Sequence, residues 1–166
     1  MKESNITRKI VMSAMFAALV CIATMMIRIP SPLKGYLNLG DGIVLLAGWM
    51  LPPFYGFLAA GAGSAFADLF SGYTIYAPAT CIIKGTMAVI SYYSFQLLCS
   101  KTHLARLLSG ILAELVMLLG YFSYESILYG VVLALANVPL NAIQGIAGLL
   151  LSTQLIKVFQ KINILH

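Results

Sequence analysis

Asp68 and Lys84 lie together in the stretch GSAFADLFSGYTIYAPATCIIKG, residues 63–85, with Tyr73, Tyr76 and Pro78 between them and strongly apolar runs on either side. An ionisable side chain within a membrane is costly unless it meets a partner or water. The acid and the base therefore have two readings: an interhelical ion pair that closes a bundle, or groups facing a ligand-sized cavity. Asn137, Asn141 and Gln144 stand at i, i+4 and i+7 in ANVPLNAIQGIAG and share one helix face. Amides placed there either bond neighbouring helices together or read the donors and acceptors of a polar ring. Glu114, Tyr121 and Glu125, at i, i+7 and i+11, form a further stripe. Glu114 falls about 14 Å along its helix, near the membrane middle, where a carboxyl is either protonated or bonded to a buried donor; it is a candidate pocket floor.

The elements that must carry these side chains follow from composition. Of 166 residues, 61% are hydrophobic and 9% charged, with a mean hydropathy of +0.95, which excludes an ordinary soluble domain. The expected fold is an all-α integral membrane protein. Apolar runs place six transmembrane helices at about 9–29, 39–51, 53–71, 79–99, 105–124 and 137–159, as one membrane domain over residues 1–166. The second is short, since 13 residues rise only about 20 Å of a roughly 30 Å hydrocarbon core. Gly40 and Asp41 resemble its start, and Pro52-Pro53 forces the turn that follows it.

Lysine and arginine orient the bundle, because cytoplasmic ends carry the positive excess. Lys2, Arg8, Lys9, Lys101, Arg106, Lys157 and Lys161 fall on the side of the termini, against Arg28 and Lys34 on the other. Both termini are expected in the cytoplasm and the polar loops outside, in a multi-pass arrangement in the cell membrane. The basic residues sit at span ends and form no patch, so no nucleic-acid partner is expected despite the net charge of +5. The first apolar run is too long for a signal-peptide core and is followed by five more spans.

Several chemistries lack their residues. There is no H-E-x-x-H, no serine or cysteine nucleophile beside a base and no acidic cluster of metal-site type. His103 lies in a turn and His166 is the last residue, while Cys21, Cys81 and Cys99 match no metal or redox spacing. No catalytic residue, metal or cofactor is expected. GAGSAF does not fit G-x-G-x-x-G. Gly56, Ala60, Ser64 and Asp68, and likewise Ala14 and Ala18, repeat small residues at four-residue steps, which lets helix backbones approach closely.

The combination of YLNLGD (residues 36–41), the stretch 63–85 and NVPLNAIQG (residues 137–145) resembles the S components of energy-coupling factor (ECF) vitamin importers, in particular the riboflavin-type group. The Ala14-x-x-x-Ala18 pair is similar to that family's A-x-x-x-A motif. The resemblance implies a high-affinity binder of a water-soluble vitamin, with its site on the outer side under the first loop and among the last three helices. It implies docking through Ala14 and Ala18 onto a transmembrane T protein driven by two ATP-binding subunits, and transport by toppling of the S component in the lipid bilayer. The substrate-binding residues are then Tyr36, Asn38, Asp68, Tyr73, Tyr76, Lys84, Glu114, Tyr121, Asn137, Asn141 and Gln144. Their amides and tyrosines suffice for one small heteroaromatic ring, so a B6 vitamer (pyridoxine or pyridoxal) or a hydroxymethylpyrimidine is the expected substrate, with riboflavin the alternative. Two other classes compete: a small intramembrane enzyme using Glu114, Asp68 and Lys84 as acid–base groups, and a channel-like bundle, whose polar residues would run from face to face.

Overall fold

The computed structural model describes residues 2–30, 36–99 and 104–161; Lys34, Lys101, His103 and His166 lie outside the described residues. Six helices follow one another: α1 (Lys2–Met26), α2 (Gly40–Met50), α3 (Pro53–Phe70), α4 (Ala77–Leu98), α5 (Ala105–Tyr129) and α6 (Val131–Lys161). Four carry stretches long and apolar enough to cross a membrane: Ile6–Met26, Ala77–Leu98, Ala105–Tyr129 and Val131–Val158. Outward side chains such as Ile22, Phe70, Leu97, Leu119, Val132 and Leu150 are apolar and exposed, the surface that hydrocarbon requires.

The short α2 is the centre of the bundle. Its 11 residues reach only about 16 Å, and nine of them are buried among α1, α3, α4, α5 and α6. Val44, Leu45 and Leu46 meet Phe16 and Val20 of α1, Met87 of α4 and Met117 of α5 in one apolar core. Small residues set the helix spacing. A Cβ on Gly63 would lie 2.5 Å from the Ala17 carbonyl oxygen, so α3 and α1 touch backbone to backbone there. Among the described residues α1 packs only on α3 and α2, which leaves its remaining face, including Ala14 and Ala18, exposed.

Two features differ from the sequence expectation. Between α1 and α2 the chain forms a small antiparallel pair, β1 (Ile29–Pro30) with β2 (Tyr36–Leu37), in the register Ile29 to Leu37 and Pro30 to Tyr36. More consequentially, the segment SYESILYGVVLALA is not a loop. Helix α5 continues to Tyr129, Gly130 turns the chain with φ of +88°, and α6 starts at Val131. A single glycine in a left-handed conformation is enough to stop one helix, and the polar side chains that suggested a loop find partners within the bundle: Ser126 Oγ donates to the Phe122 carbonyl, and Tyr124 OH to that of Ile75.

Candidate functional site

The ends of α1, α3, α4, α5 and α6 remote from the termini, with Tyr36, Asn38 and Tyr73 from the segments between helices, bring polar side chains together around one cavity. The opening stretch builds one wall. After α3 the chain closes a Schellman turn, with the Tyr73 N–H on the Asp68 carbonyl, the Gly72 N–H on that of Leu69, and Gly72 at φ of +83°. That turn presents Asp68 and Tyr73 side by side. Tyr36, from β2, donates to Asp68 Oδ1 at 2.7 Å and packs on the Tyr73 ring with centroids 4.6 Å apart. Burial, reinforced by the Asp68 carboxylate, pushes the Tyr36 phenol above its ordinary pKa, so it stays a hydrogen-bond donor.

Lys84 does not pair with Asp68. Its ammonium donates to Asp41 Oδ1 in the first turn of α2, with the two side chains 3% and 0% exposed. Asp41 Oδ2 accepts from Gln144 Nε2 at 2.7 Å, and Gln144 Oε1 accepts the backbone N–H of Asn38 at 3.0 Å. Asn38 Oδ1 in turn accepts the Gly40 N–H at 2.9 Å. One buried network thus ties α2, α4, α6 and the segment leading into α2. Lys84 Nζ also lies 5.3 Å from the centre of the Tyr121 ring, within cation–π range.

The cavity residues fall into tiers. At its outer rim Tyr76, Glu125 and Asn137 come together: Asn137 Nδ2 donates to Glu125 Oε1 at 2.7 Å, and Tyr76 OH approaches the same oxygen at 3.5 Å. A turn deeper, Tyr121 OH donates to Thr80 Oγ1 at 3.2 Å, at the helical level of Asn141. Deepest are Lys84 and Gln144. From Tyr76 to Lys84 along α4 is about 12 Å, and from Asn137 to Gln144 along α6 about 10 Å.

Ten of the eleven residues singled out from the sequence line this cavity: Tyr36, Asn38, Asp68, Tyr73, Tyr76, Lys84, Tyr121, Asn137, Asn141 and Gln144. Glu114 does not. It lies about 16 Å along α5 from Glu125, below the deepest tier, buried against Gly145. The residues not singled out are Thr24, Ser64, Thr80 and Glu125 on the lining, and Asp41 beneath it. Glu125 carried a signal, since it shares a stripe with Tyr121; Ser64 shared a face with Asp68.

Comparison with known proteins places this arrangement. Residues 4–161 match the sequence model of the ECF-type riboflavin transporter, S component. The chain belongs to that family. The S component is a transport subunit, not an enzyme, and its family implies a vitamin substrate and the partner subunits of an ECF module. It is 38% identical over 134 residues to an uncharacterized protein of Pyrococcus woesei, covering 80% of this chain and 88% of that one. The solved structure of the S component of a bacterial ECF transporter superposes with a TM-score of 0.77 at 20% identity, over 94% of this chain and 97% of the other. The S-component fold is therefore shared.

Proposed function

We propose that this S component captures riboflavin, from the side of the membrane opposite its termini, for ATP-driven uptake by an ECF module. The observation that carries the choice of ligand is the depth of the cavity. Its polar groups stand in three tiers that span about 10–12 Å along α4 and α6, so they suit an elongated ligand with polar groups at separated positions. A single six-membered ring, such as a B6 vitamer or a hydroxymethylpyrimidine, would reach only part of that span. The riboflavin-type family supports the same choice.

The proposed orientation, with both termini in the cytoplasm, follows from the lysine and arginine distribution. Partner docking is assigned to the exposed face of α1 at Ala14 and Ala18. An apolar groove lined by Ala17, Ala18, Cys21, Ile22, Phe66 and Phe70 continues that face. The direct test is to purify the protein from cells grown in rich medium, identify co-purifying small molecules by mass spectrometry, and titrate the stripped protein with riboflavin, pyridoxine, pyridoxal and hydroxymethylpyrimidine in a calorimeter. Riboflavin is expected. Tight pyridoxine binding without riboflavin would restore the single-ring reading, and a protein that takes up no vitamin would overturn the capture role.

A further inference from the structure

Glu125 and Asn137 are 2% and 3% exposed, both face the cavity, and both hold an oxygen that accepts no hydrogen bond among the described residues: Glu125 Oε2 and Asn137 Oδ1. Their mutual bond fixes this arrangement. Asn137 turns its amino group to Glu125 Oε1 and so leaves its own carbonyl oxygen over. The rim thus presents two neighbouring acceptors whose own helices offer them no donor. Buried acceptors left in this state are costly, and a built site of this kind calls for a ligand that brings donors.

Resting on the riboflavin reading above, we infer that Glu125 and Asn137 hold adjacent hydroxyls of the ligand's ribityl chain, and so decide which end of the flavin lies at the rim. The alternative occupant is the imide edge of the ring, which presents an acceptor, a donor and an acceptor in a row. Set against two acceptors, that edge would bring oxygen against oxygen. Vicinal hydroxyls rotate freely, and each has a proton to give. The opposite end of the cavity has the complementary character. Lys84 Nζ has three N–H donors, of which one goes to Asp41, and Asn141 can both donate and accept. The ring, with its mixed edge, belongs at the Tyr121 and Lys84 tiers, and the chain at the rim. Glu125 is then a specificity-determining residue that distinguishes flavins carrying a hydroxylated chain from those without one.

The test uses the full-length protein in lipid nanodiscs and two ligands, riboflavin and lumiflavin, the latter having the same ring with a methyl in place of the ribityl chain. In Glu125→Gln the side-chain oxygen still accepts from Asn137, but the atom facing the ligand becomes a donor. Riboflavin affinity is expected to fall at least ~10-fold in this variant, the scale of a lost charged hydrogen bond, with lumiflavin affinity unchanged. An equal loss for both ligands, or no loss for riboflavin, would overturn the assignment while leaving riboflavin capture intact. The wild-type protein gives a second reading that needs no variant: riboflavin should bind well above lumiflavin, and equal affinities would sink the inference even if Glu125→Gln fails to fold. Failure of the wild type to bind either flavin would remove the parent reading as well.

Discussion

Replacing Lys84 by methionine tests whether the buried network has been assigned to the right acid. The substitution keeps the length of the side chain and removes its charge, leaving Asp41, fully buried, with only Gln144 as a partner. Breaking one side of a buried pair costs about 3–5 kcal/mol, because an uncompensated charge remains. At roughly 2–4 °C per kcal/mol for a chain of this size, Lys84→Met should melt about 6–20 °C below wild type. Removing both partners, as Lys84→Met with Asp41→Leu, should recover part of that loss, since an apolar pair in place of a buried ion pair is often neutral. It should not recover all of it. Gln144 Nε2 then lacks an acceptor, which costs about 1–3 kcal/mol. Asp68→Asn is the control: asparagine still accepts from Tyr36, so the loss should stay near ~1 kcal/mol, the worth of a single hydrogen bond. The assay is thermal unfolding of the purified variants in one detergent, followed by size-exclusion recovery. If Asp68→Asn melts as low as Lys84→Met while Asp41→Asn melts with wild type, the pairing is wrong and the Asp68–Lys84 bridge suggested by the sequence is right.

Ala14→Trp or Ala18→Trp should abolish vitamin uptake in cells expressing the complete importer while leaving riboflavin affinity of the purified S component within about twofold, because both alanines are exposed on α1 and neither lines the cavity. Gly63→Val should lower the melting temperature by the equivalent of about 1–3 kcal/mol, because its side chain would collide with the backbone of Ala17 and force α1 off α3. The Tyr36 phenol has a raised pKa in the folded protein, so its contribution is complete below the unfolded value of about 10 and lost as pH rises beyond it, when the unfolded chain ionises and the folded one does not. The stability difference between wild type and Tyr36→Phe should therefore shrink above pH ~10 in melting curves recorded across the alkaline range.

Much of this was legible in the sequence because membrane insertion simplifies the code. A chain with few polar residues must place each of them with care, so periodicity on Asn137, Asn141 and Gln144, and on Tyr121 with Glu125, marked the cavity-facing sides of α6 and α5 without any knowledge of neighbours. What sequence spacing does not carry is relative depth. Spacing brings Lys84 and Asp68 to the same loop, which allows either a pair or two cavity-facing groups, yet the partner of Lys84 is Asp41, in sequence an ordinary first-turn acid at the start of a helix. The chain leaves α1 at Met26, pairs β1 with β2 at the rim, and only then descends to start α2 inside the cavity, level with Lys84. Depth also explains Glu114. Ending α5 near residue 124 moves its whole stripe outward; once the helix runs to Tyr129, Glu125 occupies the cavity rim and Glu114 falls beneath the site.

The same geometry separates two tasks that share one small bundle. The cavity draws on α1, α3, α4, α5 and α6 and on β2, and beneath it lie buried network bonds from Asn38 through Gln144 and Asp41 to Lys84. Such a network resists displacement of any one helix, because moving a partner strands a buried polar group. Helix α1 stands outside it: it supplies only Thr24 to the lining, and it is held to α3 by close backbone contact at Gly63 and by the Ser13 hydroxyl donating to the Tyr55 carbonyl at 3.1 Å. From Ala14 to Ile22 its exposed side chains, Ala14, Met15, Ala18, Leu19 and Ile22, are all apolar. The proposed docking surface and the proposed capture site make opposite demands on polarity, and they lie on different helices, with α1 reaching the cavity through Thr24 alone among the described residues.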